Sequence, residues 1–218
     1  MLKADNITKS YGALQVLKGI NLHVEPGQII SIVGASGAGK STLLHILGTL
    51  DIPDGGVLHI NNQRLYNGMK PRELNRFRNK HIGFIFQFHN LLPEFTALEN
   101  VALPGFIAGD RAEEQVRSEA RMLLERLGLA QRLEHKPGQM SGGEQQRVAV
   151  ARALINKPAI VFADEPSGNL DSHSAEELHK LFFDLREELG QTFVIVTHNQ
   201  QLADMADFKY IIEDGVIL

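Results

Sequence analysis

Residues 34–41 read Gly-Ala-Ser-Gly-Ala-Gly-Lys-Ser, and this stretch decides the fold. It fits the pattern G-x-x-x-x-G-K-[ST], in which glycines let successive backbone N–H groups surround an anion while a lysine and a hydroxyl complete the contact. An apolar run before it predicts a buried strand over 28–33, and helical periodicity after it predicts a helix over 41–50. A strand, a glycine loop and a helix in this order place the positive end of the helix beneath a phosphate. We therefore expect an α/β nucleotide-binding fold.

The length and composition of the chain set the outer limits on its class. Its 218 residues suffice for one α/β domain, or for one with a sizeable insertion. The 22 Lys and Arg residues nearly balance the 26 Asp and Glu residues, so the overall charge does not indicate nucleic-acid binding. The absence of cysteine excludes disulfides, thiolate metal sites and cysteine nucleophiles. Because we find neither a signal-peptide pattern nor a run of about 18 apolar residues, we expect a cytoplasmic chain, soluble or peripheral to a membrane.

The remaining hydrophobic patterns predict an α/β core that is interrupted by helices. We expect one domain over 1–218, with the core at about 1–87 and 158–218 and a helical subdomain at about 88–157. The predicted strands cover residues 2–7, 20–24, 28–33, 57–60, 82–86, 159–163, 192–197 and 209–213. Amphipathic helices are predicted over 110–127 and 174–189, with capping boxes of Asp110 with Glu113 and of Ser174 with Glu177.

Two acids, Asp164 and Glu165, follow the apolar strand predicted over 159–163. Ligands bind beyond the carboxyl ends of parallel strands, so these acids are expected near the phosphate. Asp164 could hold the Mg²⁺ that Ser41 also ligates, while Glu165 polarises the water that attacks the γ-phosphate. A pair of solvated surface acids is the alternative. The apolar run before them and the phosphate loop upstream favour the catalytic interpretation.

Two more predicted strands end in polar residues. His198 follows the apolar strand over 192–197 and could contact the γ-phosphate through an imidazole N–H. A histidine at a strand end can also be an ordinary surface group, and its equivalence to Asp164 in topology favours a function. Gln87 follows the strand over 82–86 and could reach the metal and its water while responding to movement of the segment after it.

A second stretch, residues 140–147, also has the features of a phosphate contact. It reads Met-Ser-Gly-Gly-Glu-Gln-Gln-Arg and precedes a helix predicted over 144–154. The N-terminus of a helix offers free N–H groups to an anion, as the phosphate loop does. One chain needs a single such contact for each ATP, so a second one suggests that it is presented to a partner chain. A simple helix cap is the alternative.

In their order along the chain these residues resemble the ATP-binding cassettes of ABC transporters, and the resemblance covers nearly the whole sequence. It implies a P-loop ATPase core with a small antiparallel β subdomain and an inserted α-helical subdomain, which binds ATP and Mg²⁺ and hydrolyses ATP to ADP and phosphate. Met140 and Glu144 stand where leucine and glutamine are commoner in the family, and neither change removes the small residues that contact phosphate.

The resemblance assigns a role to each motif. Tyr11, which could otherwise be an ordinary core or surface aromatic, would stack on adenine. The resemblance also implies that two chains pack head to tail, so that the signature segment of one chain, which begins at Ser141, contacts the ATP held by the other chain. ATP binding would then drive formation of the dimer, and hydrolysis would reverse it. The other assigned residues are Gly34, Ala35, Ser36, Gly37, Ala38, Gly39, Lys40, Ser41 and Thr42 for ATP; Ser41, Gln87 and Asp164 for Mg²⁺; Gln87, Glu165 and His198 for catalysis; Ser141, Gly142, Gly143 and Glu144 for the signature; and Asp171 in the D-loop.

Two stretches of the sequence, residues 86–101 and 163–171, resemble those of the cassettes of lipoprotein-releasing systems. These cassettes work with two separate membrane subunits at the cytoplasmic side of the bacterial inner membrane. Ser167 replaces the threonine that is more usual there. Two alternatives remain: an efflux cassette of the MacB group, whose membrane domain lies on the same chain, or a regulatory cassette of the cell-division type that transports nothing.

The segment after Gln87 is where the family resemblance implies contact with a membrane subunit. It is unusually apolar, which is compatible with a groove that receives a helix of that subunit. Ordinary core packing of the helical subdomain is the alternative. The apolar residues are Leu91, Leu92, Phe95, Leu98 and those of 101–107.

Overall fold

The computed structural model of the chain describes residues 1–66 and 68–218. It divides into two compact units, the first formed by Met1–Asn75 with Phe183–Leu218 and the second by Arg76–Phe182. The boundaries predicted for the helical subdomain, at about 88 and 157, stay a prediction.

Both units contain strands and helices. The strands are β1 (Leu2–Tyr11), β2 (Leu14–Val24), β3 (Ile29–Val33), β4 (Gly55–Ile60), β5 (Gln63–Leu65), β6 (Ile82–Phe86), β7 (Ile160–Asp164), β8 (Thr192–Val196), β9 (Phe208–Glu213) and β10 (Val216–Ile217). The helices are α1 (Lys40–Leu47), α2 (Pro71–His81), α3 (Ala97–Ala108), α4 (Glu113–Arg126), α5 (Gly142–Leu154), α6 (Ser172–Leu189) and α7 (Gln200–Met205). Two short 3₁₀ helices cover Ala130–Arg132 and Pro137–Gln139.

The first unit contains an antiparallel sheet in the order β2-β1-β4-β5. The central strand β1 pairs with both neighbours, so that Leu2 lies opposite Val24 on one side and Ile60 on the other. All three side chains are fully buried, because alternate residues of a half-buried strand face the core. This is the small antiparallel β subdomain that the family resemblance implies.

The first unit also contains three parallel strands, in the order β9-β3-β8. The central strand β3 pairs with β8 through Ile32 opposite Val196, and with β9 through Ile32 opposite Tyr210. All five residues of β8 are buried, as expected of a parallel strand that is covered on both faces. The short strand β10 then pairs antiparallel with β9.

The second unit combines a parallel strand pair, β6 with β7, with α3, α4 and α5. Close approach between elements depends on small residues. A Cβ atom added to Gly83 of β6 would lie 3.1 Å from the Val161 side chain and would overlap the backbone of Ala153 in α5 even more severely. The buried stripe of α4, which includes Val116, Ala120 and Leu124, packs within this unit and leaves the charged face of the helix exposed.

Both predicted capping boxes are wrong. Helix α4 begins at Glu113 after Ala112, and no side chain caps it; Asp110 instead forms an ion pair with Lys80 at 2.9 Å. Helix α6 begins at Ser172, two residues before the predicted start, and the Asp171 carboxylate accepts hydrogen bonds from the backbone N–H and hydroxyl of Ser174. Asp110 therefore pairs with Lys80 and Ser174 donates to Asp171, and neither residue caps a helix as predicted.

Candidate functional site

The phosphate loop in the first unit connects β3 to α1. It leaves β3 after Val33, and α1 begins at Lys40 with Gly39 as its N-cap. Gly34 has φ of 152°, and a Cβ atom there would overlap the backbone oxygen of Ile212 in β9. Only glycine fits this close contact between the loop and the neighbouring strand. The three residues from Ala35 to Gly37 are exposed, so the loop presents its backbone to solvent.

Lys40 folds its side chain back over this loop. Its Nζ donates hydrogen bonds to the backbone oxygens of Gly34 and Ala35, each at 2.9 Å. These contacts hold the ammonium group at the N-terminus of α1, where the helix dipole already favours an anion. An ammonium group carries three N–H donors, so this arrangement is suited to an anion that lies on the loop. Ser41 and Thr42 follow in the first turn of the helix.

His198 leaves the same edge of the parallel strands as the phosphate loop. Because Ile32 and Val196 are opposite each other in register, both strands end at this edge. The backbone N–H of Thr197 still donates to the Ile32 oxygen at 3.2 Å, and the exposed His198 comes directly after it. Asn199 then caps α7 by accepting from the backbone N–H of Leu202.

Tyr11 lies at the end of β1 with about half of its surface exposed, at 51%. Its hydroxyl donates to Oδ2 of Asp51 at 2.5 Å, while Lys9 Nζ binds the other Asp51 oxygen and lies 5.1 Å from the ring centroid. Burial raises the pKa of the Asp51 carboxyl, but the hydrogen bonds from Lys9 and Tyr11 outweigh it and hold that pKa below its usual value. The exposed ring is therefore held in one orientation by an ionised carboxylate.

The two acids and Gln87 lie at one edge of the second unit. In the parallel pair, Phe86 of β6 lies opposite Asp164 of β7, so Gln87 and Glu165 both follow at the carboxyl ends of these strands. Glu165 has a positive φ of 46°, which is uncommon for a residue other than glycine and occurs often at functional turns. The backbone oxygen of Glu165 accepts a hydrogen bond from the backbone N–H of Gly168, which closes the turn.

The side chain of Gln87 contacts this turn directly. Its Nε2 donates to Oδ1 of Asn169 at 3.0 Å, and Nδ2 of Asn169 donates back to the backbone oxygen of Gln87 at 3.3 Å. A Cβ atom on Gly168 would lie 3.0 Å from the Gln87 Nε2 atom. The residue predicted to reach the metal is thus packed against the segment between Glu165 and the D-loop.

Ser141 of the signature segment is the N-cap of α5. Its hydroxyl accepts from the backbone N–H of Glu144, and the Glu144 carboxylate accepts from the backbone N–H of Ser141, so the two form a capping box. The Ser141 hydroxyl also interacts with the Glu144 carboxylate, so the two side chains are joined in both directions. Gly142 is exposed, and Gly143 is buried with its Cα so close to Ser174 that an added Cβ would lie 3.0 Å from the Ser174 hydroxyl.

Glu144 combines that cap with an ion pair. Its second oxygen accepts from Nε of Arg132 at 2.7 Å. The backbone N–H of Ser141 and the Arg132 guanidinium together hold the pKa of the Glu144 carboxyl below its usual value. Asp171 is similarly fixed as the cap of α6, and the hydrogen bonds from Ser174 lower the pKa of its carboxyl.

The sequence patterns missed one buried residue of this unit, Gln146. Its side chain is fully buried, and its Nε2 donates to the backbone oxygens of Phe86 at 3.2 Å and Pro166 at 2.7 Å. It therefore connects the signature helix with the residues just before Gln87 and just after Glu165. A glutamine among the buried residues Val148, Ala149 and Val150 of α5 was the only signal available in the sequence.

The described residues were compared with the requirements of a metal-ligating cluster and of a membrane-spanning helix. Within residues 1–66 and 68–218, no group of three or more His, Cys, Asp or Glu side chains is close enough to hold a metal ion. Among the helices of the same residues, none is long and apolar enough to cross a bilayer.

Comparison with known proteins identifies the family. A family model described as "ABC transporter" matches residues 17–168. Curated relatives from Cytophaga hutchinsonii and Bacteroides fragilis are 62% and 59% identical, over all of this chain and 99% and 100% of the relatives. Both carry the name lipoprotein-releasing system ATP-binding protein LolD.

Solved structures agree with this assignment. An ATP-binding cassette, described as a dimer in a post-hydrolysis state bound to ADP and Pi, matches with a TM-score of 0.90 and 42% identity, covering 100% of this chain and 96% of that chain. A Clostridium perfringens protein, part of an ABC transporter complex, matches with a TM-score of 0.90 and 26% identity, covering 100% and 86%. The chain belongs to the ABC transporter family, as one of its ATP-hydrolysing cassettes. The predicted family and fold class are therefore confirmed.

Proposed function

We propose that the chain is the ATP-hydrolysing subunit of an ABC transporter that releases lipoproteins from the bacterial inner membrane. The observation that carries this proposal is full-length identity of 62% and 59% to relatives that are named for this system. Two segments of the sequence, residues 86–101 and 163–171, support the same subfamily.

The phosphate loop would hold the triphosphate of ATP. Backbone N–H groups of residues 34–39, the Lys40 ammonium and the hydroxyls of Ser41 and Thr42 are the donors that a triphosphate needs. The position of Lys40, fixed by the Gly34 and Ala35 oxygens, supports this function because its charge already lies on the loop. The exposed Tyr11 ring, oriented by Asp51, would stack on the adenine base.

The residues proposed to hold Mg²⁺ fit that ion chemically. Ser41, Gln87 and Asp164 offer a hydroxyl, an amide oxygen and a carboxylate, which are the hard oxygen ligands that Mg²⁺ prefers alongside phosphate and water. When bound, Mg²⁺ would neutralise charge on the β- and γ-phosphates.

Glu165 would act as the base that polarises the attacking water. Glu165 follows Asp164 on a turn and has a positive φ of 46°. His198, exposed at the end of β8, would donate an N–H to the γ-phosphate. Gln87 would align the water and sense the segment that follows it.

A second copy of the chain would complete each ATP site. The signature residues Ser141, Gly142, Gly143 and Glu144 form a capped helix N-terminus, and the positive end of this helix dipole would favour a γ-phosphate that another chain holds. Asp171 would contribute through the D-loop. The dimeric cassette with bound ADP and Pi supports this arrangement by similarity.

Two integral membrane permease subunits would dock on the segment after Gln87 and hold the cassette at the cytoplasmic face of the inner membrane. Part of this segment forms core, since Leu98 and Val101 are buried. Another part is exposed, notably Phe88 at 69% and Ile107 at 67%. Core packing therefore accounts for Leu98 and Val101, and the exposed residues would contact the membrane subunits.

Affinity purification of the tagged chain from detergent-solubilised membranes tests this function. We expect a permease pair of the lipoprotein-releasing type to copurify and to stimulate ATP hydrolysis when a lipoprotein is supplied. A chain with Lys40→Ala, which removes the ammonium on the phosphate loop, serves as the control without turnover. Recovery of a cell-division partner or of an efflux permease in its place would refute the proposal.

A further inference from the structure

We propose that Asn169 is a positioning residue that orients the amide of Gln87, so that the Gln87 oxygen faces the metal. The inference rests on the proposed function, in which Gln87 is a ligand of Mg²⁺. It assigns a function to Asn169, which lies in the segment 163–171 that resembles the cassettes of lipoprotein-releasing systems.

The orientation follows from a chain of two hydrogen bonds. The backbone oxygen of Gln87 can only accept, so the Asn169 group that faces it at 3.3 Å must be the NH₂ group. The Asn169 oxygen is therefore the group that faces the Gln87 side chain, where it accepts from Nε2 at 3.0 Å. Because the Gln87 nitrogen is occupied by this bond, its Oε1 atom is the end of the amide that is left for a metal.

Two neighbouring contacts keep this pair in place. Gly168 lets the turn approach Gln87, since a Cβ atom there would lie 3.0 Å from Nε2 and 3.2 Å from Cδ of the glutamine. Gln146 binds the backbone oxygens of Phe86 and Pro166, and so fixes the chain on each side of the pair. The Gln87 amide is partly exposed, but the backbone on each side of the pair is held by the buried side chain of Gln146.

The test compares metal affinity in two backgrounds. Asn169→Ala is made in the natural chain and in a Gln87→Glu chain, and Mn²⁺ binding to the complex with ADP is measured by electron paramagnetic resonance. ADP affinity in EDTA is measured in parallel. In the natural chain we expect Asn169→Ala to weaken Mn²⁺ binding by about tenfold, the effect typical of a residue that orients a metal ligand. ADP affinity in EDTA should not change.

The Gln87→Glu background separates orientation from general damage. A carboxylate presents oxygen at both ends and needs no partner to orient it, so Asn169→Ala should not affect Mn²⁺ binding there. Gly168→Ala, which displaces Gln87 but keeps Asn169, should weaken Mn²⁺ binding in the natural chain as well. Equal losses of Mn²⁺ affinity in both backgrounds, or no loss in either, would overturn the inference.

Failure of the proposed function would look different. If Gln87→Ala leaves Mn²⁺ affinity unchanged while the chain still binds ADP, Gln87 is not a ligand and this inference falls without affecting the ATPase assignment. If the natural chain binds neither ADP nor ATP, the proposed function itself falls.

Discussion

The Glu144 carboxylate accepts a hydrogen bond from Nε of Arg132 at 2.7 Å, while its other oxygen accepts from the Ser141 backbone N–H at 2.8 Å. One side chain thus caps the signature helix and pairs with the last residue of the 3₁₀ helix Ala130–Arg132. The commoner glutamine at this position could form the cap but not the ion pair. Glutamate at position 144 therefore adds an ion pair with Arg132 that the commoner glutamine could not form.

We expect Glu144→Gln to lower the free energy of unfolding by roughly 0.5 kcal/mol at neutral pH, since the pair is partly exposed and an amide preserves the cap. The folded-state pKa of Glu144 lies below its ordinary value of 4.5, so its contribution is present above that pH and is lost as the pH falls through the folded-state pKa. Urea denaturation of both chains at several pH values measures this. Arg132→Gln is the control, and the double variant should be no less stable than either single one.

Gln146→Leu should destabilise the second unit more strongly. It leaves the buried Pro166 oxygen and the partly buried Phe86 oxygen without their donor, which costs about 1–3 kcal/mol. Gln145→Leu is a matched control, because the neighbouring glutamine donates to a single backbone oxygen, that of Met140, and is less buried. Thermal or urea unfolding gives the comparison. Equal stability of the two variants would contradict the importance of the Gln146 bridge.

The features that local sequence predicts well are those that depend on neighbouring residues. The strand Ile82–Phe86 is confirmed at both ends, and the start of α1 lies within one residue of its prediction, because apolar runs and glycines define them locally. Helix α2 was missed because Phe77 is its only buried side chain, which leaves no apolar stripe to detect. Strand β10 was missed because it has only two residues.

Contacts between distant residues could not be predicted in this way. Asp110 is drawn from its expected capping function to Lys80, 30 positions earlier, and nothing near Asp110 indicates this. The two partners of Gln146 lie 60 and 20 residues away and are backbone atoms, which carry no sequence signal. Asp171 and Ser174 each fit a helix-start pattern, and only the structure shows that Asp171 is the cap. Motifs predict the candidate site residues, and both this set of residues and the functions proposed for them stay predictions.

We expect His179 to make the folded chain less stable at mildly acidic pH. It is buried, its Nε2 lies 3.0 Å from the Ser167 hydroxyl, and burial lowers the pKa of its imidazole despite the opposing charge of Glu176. The unfolded chain therefore binds a proton first, and stability falls as the pH drops from about 6.5 toward the lower folded-state pKa. Urea midpoints between pH 7.5 and 5 should fall less in His179→Gln than in the natural chain. Parallel curves would show that His179 does not titrate in this range.

Tyr11 should affect recognition of the base and not of the phosphates. Tyr11→Ala removes the stacking surface and should weaken ATP binding by about tenfold, while binding of inorganic tripolyphosphate stays the same. Tyr11→Phe keeps the ring but loses the hydrogen bond to Asp51, so it should weaken ATP binding less than Tyr11→Ala does. Calorimetric titration with both ligands measures this. A parallel loss of tripolyphosphate binding would point to damage of the loop instead.

Glu165→Gln should separate ATP binding from hydrolysis. An amide keeps the size and shape of the side chain but cannot accept the proton of the attacking water, so turnover should fall by roughly 100-fold or more. Bound ATP would then persist, and the variant should elute as a dimer during size-exclusion chromatography with ATP and Mg²⁺ and as a monomer without nucleotide. Glu114→Gln, in the exposed first turn of α4, makes the same chemical change away from the site and should behave as the natural chain. A Glu165→Gln chain that still hydrolyses ATP rapidly, or stays monomeric with ATP, would remove the basis for assigning Glu165 as the base.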